Sequence, residues 1–305
     1  MSGAPPGWRT DFALALVCLT WGATFIIVKR ALPDISTVLF LALRFTVAAV
    51  ALAAVLRPGL RSGTATRLAL KGGAIAGLFL FAGYVLQTLG LNSTSAAKAA
   101  FITGFYIPLV PLVGAVLYRR KPDRFEIAGV TAAAVGMALM TIEPGVLRMS
   151  QGDLLVAGCA VAYALHIVIL GHFAKHADTS MLAVTQLATC AVAAWLALPW
   201  AGPVRIVWSM RVIVALAVTS LLATAFAFAV QTWAQRYSSP TRTAIIFSLE
   251  PVFAWATSWI VAGELLTPRA LAGAGLILGG VLTVEVKPFR RGERDIANTS
   301  SAAEG

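Results

Sequence analysis

Along this chain, apolar runs of about 20 residues, the length that crosses a hydrocarbon core, alternate with short polar breaks. The pattern repeats ten times, at 11–31, 35–56, 68–91, 95–118, 124–142, 153–173, 179–199, 211–236, 241–262 and 268–286. The breaks include LRPGLRSG (56–63), RRKPDR (119–124), EPGVLRMSQGD (143–153) and GELLTP (263–268). Their Pro, Gly and charged residues end helices and stay in water. The pattern predicts an all-α polytopic membrane protein of ten transmembrane helices, with loops too short to hold a soluble domain.

Composition agrees with the pattern and removes other classes. Hydrophobic residues make up 59% of the chain and charged residues 12%, and the mean hydropathy is +0.83, far from the balance of a soluble domain. The net charge of +11 does not argue for nucleic acid, which needs a basic face on a folded soluble module. It works instead as a topology signal, because basic loops are retained in the cytoplasm. With the N-terminus inside, the richest basic segments fall on the same side: Arg57, Arg61, Arg67 and Lys71; Arg119, Arg120, Lys121 and Arg124; and Lys287, Arg290, Arg291 and Arg294. Both termini are then expected to be cytoplasmic and the protein to sit in the cell inner (plasma) membrane. The first span has no cleavable-leader pattern ahead of it and reads as a retained anchor, and the polar tail from Lys287 reads as disordered. Cys18, Cys159 and Cys190 lie in apolar spans and read as small core residues, with no disulfide framework.

Compared with itself at a shift of 142 to 144 residues, the chain repeats. Asp11 meets Asp153 at 142, while at 144 Gln87-Thr88 meets Gln231-Thr232, Lys98 meets Arg242, Ala128-Gly129 meets Ala272-Gly273 and Gly136 meets Gly280. The expected organisation is a cytoplasmic tail 1–10, a first five-helix repeat 11–142, a second five-helix repeat 153–286 and a cytoplasmic tail 287–305. Five spans per unit is an odd number, so the second unit enters the membrane inverted. Inverted repeats suit alternating access around a site near the midplane, which points to a secondary transporter. No GxxxxGK[ST] loop for nucleotide phosphates is present, and no cofactor is called for.

The segment SSPTRTAIIFSLEPVFAWATSWIVAGELLTPRALAGAGLILGGVL (238–282) resembles the second-half signature of the EamA-type drug/metabolite transporter superfamily. TWGATFIIVKRAL (20–32) with LALRF (41–45), and SAAKAAFITGFYIPLVPLVGAVLYRRKPDRFEIAGV (95–130), resemble its first half. The resemblance implies ten helices in two inverted halves and the movement of small metabolites, often outward, across the inner membrane. It does not name a substrate.

Polar residues inside apolar spans are costly and tend to face a cavity or a partner. Glu250, followed by the helix-disrupting Pro251, is the sharpest: it can carry a proton or a substrate amine, or be a buried structural partner. Its ungapped first-half equivalent is Tyr106, with Pro108 and Pro111 just beyond, so helix breaking is expected in both halves and the acid in only one. Arg44 can hold an anionic group such as a carboxylate, pair with Glu250, or sit near the interface. Gln87 and Gln231 can donate and accept at a central site or simply link helices, and His166 can titrate or be a hydrogen-bonded core residue. Lys98 and Arg242 read as interfacial anchors. His172 and His176 have metal-ligand spacing but read as a helix end, so no metal is expected. Among aromatics that can wall a cavity (Trp21, Phe25, Tyr84, Phe101, Phe105, Tyr106, Phe226 and Trp255), Trp21, Tyr84 and Tyr106 are retained. Gly73-x-x-x-Gly77 and Gly275-x-x-x-Gly279 allow close helix contact, the second either within the molecule or as a homodimer face.

These residues lead to a secondary active transporter of a small molecule, most readily an exporter of amino acids or related metabolites, with no catalytic residues. Proton coupling is left open. The alternative is a membrane-embedded sensor or structural protein without transport activity, which the short tails do little to support.

Overall fold

The structure, a computed structural model, describes residues 7–22, 24–59, 63–94, 96–119, 121–141, 150–250, 252–253 and 267–285. Pro251, Trp255, most of GELLTP and the C-terminal tail lie outside the described residues, as do the side chains of Phe25, Lys98 and Phe101. The helices are α1 (Gly7–Gly22), α2 (Thr24–Ala31), α3 (Thr37–Leu56), α4 (Thr64–Leu91), α5 (Ala96–Thr103), α6 (Tyr106–Tyr118) and α7 (Arg124–Thr141). They continue as α8 (Gln151–Ala174), α9 (Thr179–Ala197), α10 (Met210–Ser220), a π-helical turn (Leu221–Phe226), α11 (Ala227–Tyr237), α12 (Pro240–Phe247) and α13 (Pro268–Glu285).

Six helical stretches among the described residues are long and apolar enough to cross a membrane: Gly7–Ala31, Thr37–Leu56, Thr64–Leu91, Gln151–Ala174, Thr179–Trp200 and Met210–Tyr237. Shorter apolar helices cover Tyr106–Tyr118 and Leu271–Thr283. Large apolar side chains such as Val55, Val116 and Leu196 point outward, at 77%, 80% and 65% exposure. An outer surface of that kind is matched to lipid tails rather than to water.

Local chemistry sets the helix starts. Ser150 and Asp153 form a reciprocal capping box at α8, Asp178 accepts from the Met181 amide at α9, and Ser239 accepts from the Arg242 amide at α12, where Pro240 takes the first position. Each satisfies donors that the helix leaves free. At one end of the bundle the loop after α2 is stapled to the loop before α10. Ser36 N–H donates to the Arg205 carbonyl at 2.9 Å and Val207 N–H to that of Asp34 at 2.7 Å, while the Arg211 guanidinium pairs with the Asp34 carboxylate at 3.0 Å.

Three apolar runs that read as continuous spans are interrupted among the described residues: the fourth divides between α5 and α6, the eighth carries the π turn, and the ninth turns after α12. The fourth corrects the expectation for its prolines. The break falls at Gly104-Phe105, ahead of both. Pro108 occupies the first turn of α6, where its missing N–H costs nothing, and the helix runs on through Pro111 to Tyr118. In the ninth span α12 ends at Phe247, and Ser248-Leu249 turn before helical backbone resumes at Glu250. The two breaks share one hydrogen-bond pattern, offset by 144 residues. Phe105 N–H donates to Ile102 O and Leu109 N–H to Phe105 O; Leu249 N–H donates to Ile246 O and Phe253 N–H to Leu249 O.

α4 packs against α8 and α9, α3 against α9, and α7 against α13. Glycines make the last crossing close. A Cβ on Gly136 would sit 2.5 Å from the Gly273 carbonyl oxygen, and one on Gly280 would sit 2.7 Å from that of Gly129. Gly73 and Gly77 likewise lie against Thr185, Gln186 and Thr189 of α9. Around Gly275 and Gly279, in contrast, nothing among the described residues lies within 4 Å of an added Cβ. Gly136→Ala should therefore destabilise the protein by about 1–3 kcal/mol through a backbone clash. Gly279→Ala should be neutral, as measured by thermal unfolding in detergent.

Candidate functional site

A cavity of about 690 Å³ of empty space, counting its open mouth, lies between the halves of the chain. Of the residues singled out from the sequence, it is lined by Trp21, Arg44, Tyr84, Gln87, Tyr106, His166, Gln231 and Glu250. Phe105 and Phe226 are off it, 47% and 40% exposed on the outer surface. The cavity contains repeat-related pairs: Gln87 faces it with Gln231, and Tyr106, first after one helix break, faces it with Glu250, first helical residue after the other.

The aromatic wall is built by contact. Trp21 meets the Phe247 ring edge-on at 4.9 Å and Phe228 at 5.7 Å, and Tyr84 meets Phe45 at 5.0 Å and Tyr163 at 5.5 Å. Such tilted and edge-to-face pairs favour fixed ring positions.

Arg44 is only 4% exposed. Its Nε donates to Thr224 Oγ1 at 2.8 Å and its Nη2 to the Tyr84 hydroxyl at 3.2 Å, with the guanidinium 4.5 Å from the Tyr84 ring centroid. Its side-chain bonds therefore go to two neutral hydroxyls and not to Glu250. Thr224 belongs to the π turn, and the adjacent Ala223 carbonyl accepts from the Trp21 indole N–H at 2.9 Å. One wide turn thus aims both Arg44 and Trp21. Widened turns commonly mark functional positions in helices. Thr224, Phe228, Phe247 and Tyr163 were not legible as site residues: nothing in a run such as LLATAF signals an extra residue per turn.

His166 has a bonded role. Its Nε2 lies 2.9 Å from Gln186 Oε1, the Gln186 amide donates to Thr232 Oγ1 at 2.8 Å, and Thr232 donates to the Phe228 carbonyl at 2.6 Å. Gln87 donates to Thr103 Oγ1 at 3.1 Å and accepts from the Tyr163 hydroxyl at 3.5 Å. Gln231 donates to Gln235 Oε1 at 3.3 Å, but its own carbonyl oxygen has no partner among the described residues. Glu250 likewise has no ion-pair or hydrogen-bond partner there.

Beyond the cavity, Arg242 is more than an interfacial anchor. It holds the Asp11 carboxylate with two donors, Nε at 3.0 Å and Nη2 at 2.6 Å, and so joins the start of α12 to α1. Asp153, the repeat counterpart of Asp11, accepts from Thr94 Oγ1 at 2.6 Å. His172 stacks on the Tyr118 ring at 4.5 Å.

The model of the EamA-like transporter family matches the chain twice, over residues 8–142 and 150–285. The chain belongs to this family. It is a multi-pass membrane protein of the drug/metabolite transporter superfamily. An "Uncharacterized transporter" of Archaeoglobus fulgidus is 34% identical over 91% of this chain and 86% of its own. A "Probable amino-acid metabolite efflux pump" of Salmonella typhimurium is 28% identical over 92% and 96%. A "Probable terminal-alkyne amino-acid exporter" of Streptantibioticus cattleyicolor is 26% identical over 93% and 95%. One solved crystal structure superposes on 92% of this EamA-family chain and 97% of its own with a TM-score of 0.72 at 18% identity, a likeness of fold.

Proposed function

We propose that this chain is a secondary active transporter that moves amino acids or related small metabolites outward across the inner membrane by alternating access, with both termini cytoplasmic. Ten spans form two inverted five-helix repeats around the cavity. The observation that carries this is the pairing within the cavity. The two helix breaks, offset by 144 residues, are each followed by a residue, Tyr106 or Glu250, that lines the same cavity. A site built from equivalent pieces of two related units can open to either side when the units exchange conformations. Broken helices are tolerated at membrane depth where they line such a site.

The chemistry of the lining supports an amino-acid-like substrate: a buried guanidinium for a carboxylate, acceptors for an amine and an aromatic wall for an apolar body. Two similar proteins are named for amino-acid export. The test is counterflow in proteoliposomes. Vesicles preloaded with an unlabelled neutral amino acid should transiently accumulate the labelled one. A sensor or structural protein would give no accumulation over empty vesicles.

Asp11 and Arg242 should act as a closure between α1 and α12 in one of the two states. Asp11→Asn should change the transport rate about two- to fivefold, the range of an ion pair that keeps some solvent. The exchanged pair, Asp11→Arg with Arg242→Asp, should recover part of the loss. Equal rates in all variants would remove that role.

A further inference from the structure

Besides Glu250, two cavity groups differ from their surroundings in what they lack. Most polar side chains around the site are bonded within the protein, including Gln87, whose carbonyl and amide are both occupied. Gln231, its counterpart at 144 residues, is 1% exposed and lines the same cavity, yet its Oε1 has no donor among the described residues. A buried acceptor left unpaired is costly, and in a ligand cavity the missing donor is supplied by the ligand. The opposite polarity is supplied by Arg44. Two of its donors are held by Thr224 and Tyr84, both neutral, and no carboxylate among the described residues pairs with it.

We infer that the cavity takes a zwitterion in one fixed polarity, with the carboxylate on the Arg44 guanidinium, the ammonium donating to Gln231 Oε1, and an apolar side chain against Trp21 and Phe228. This rests on the transport reading for the use of the site, but its binding chemistry is independent of it. The first-half glutamine is spent on Thr103 and Tyr163, so the two repeats contribute unequally. The near-symmetric cavity thereby gains a direction along which the substrate must lie. Hydrogen bonds to charged groups are the strong ones, so an analogue lacking either charged group leaves a buried partner unmet and is rejected.

The test is isothermal titration of the purified full-length protein with L-leucine, its deaminated analogue 4-methylpentanoate and its decarboxylated analogue 3-methylbutylamine. Leucine should bind at least tenfold more tightly than either analogue. Gln231→Met, which keeps the length and loses the acceptor, should weaken leucine about ten- to hundredfold and leave 4-methylpentanoate within about twofold of its wild-type affinity. The retained binding of the acid also reports that the variant is folded. Gln231→Glu, which keeps an acceptor, should retain leucine binding if Gln231→Met cannot be purified. The inference is overturned if wild type binds 4-methylpentanoate as tightly as leucine, if Gln231→Met binds leucine normally, or if none of the three ligands binds. The expected pattern without any counterflow would sink transport and leave the binding site standing.

Discussion

Arg44→Ala is expected to lower kcat/KM for transport in proteoliposomes by about thirtyfold or more. A buried, hydrogen-bonded charge that meets an oppositely charged ligand contributes about 2–5 kcal/mol when removed, and each 1.4 kcal/mol is tenfold. The structure gives the effect a specific shape. The guanidinium uses Nε for Thr224 and Nη2 for Tyr84, which fixes the plane of the fork. Lysine keeps the charge but has neither the planar fork nor its donors in place, so Arg44→Lys should recover only part of the loss. Thr224→Val removes the Nε acceptor while leaving the charge, and should raise KM more than it lowers kcat, with Thr224→Ser close to wild type. If Arg44→Ala transports normally while remaining monodisperse in detergent, the cation has a structural role alone.

Glu250→Gln should separate exchange from proton coupling. The carboxylate is the only acidic side chain lining the cavity among the described residues, and it follows directly on the Ser248-Leu249 turn. Local rearrangement there would move it between environments. If one proton is exchanged for each substrate, one pH unit across the vesicle membrane supports about tenfold accumulation, since one unit corresponds to about 1.4 kcal/mol. The Gln variant cannot release a proton. It should show counterflow between equal substrate pools but no accumulation driven by a pH gradient. A pH-driven accumulation in Glu250→Gln equal to wild type would place the coupling elsewhere.

How much of this could be read from residues alone depends on the kind of signal each feature leaves. The helical class is written in repeated apolar runs, and the ends of α3 and α9 fall within two residues of the drawn spans. The register of 144 residues proved more informative than the prolines. It relates Gly104-Phe105 to Ser248-Leu249 and Gly136 to Gly280, and these are the positions of the helix breaks and of the α7–α13 crossing. Pro108 and Pro111 drew the break a few residues too late, because proline is accommodated in a first turn and tolerated within α6 once neighbours support it. The two GxxxG pairs differ: Gly73 and Gly77 lie against α9, while Gly275 and Gly279 meet nothing among the described residues. Spacing fixes a helix face, but only packing decides what that face meets. The π turn at Leu221–Phe226 left no trace in hydropathy, so Thr224, which aims Arg44, was invisible. Cost in lipid was the best guide to the cavity: Arg44, Gln87, Gln231 and Glu250 all line it.

The central claim, one cavity presented to each side of the membrane by turns, is tested most directly by a thiol placed in it. Thr24 lines the cavity and is 8% exposed, and the native Cys18, Cys159 and Cys190 are buried and free. With those three replaced by alanine, Thr24→Cys in oriented proteoliposomes should react with a membrane-impermeant maleimide applied from either side. Amino-acid substrate should slow labelling from one side and the other alike. Labelling from a single side, unchanged by substrate or by a pH gradient, would contradict alternating access.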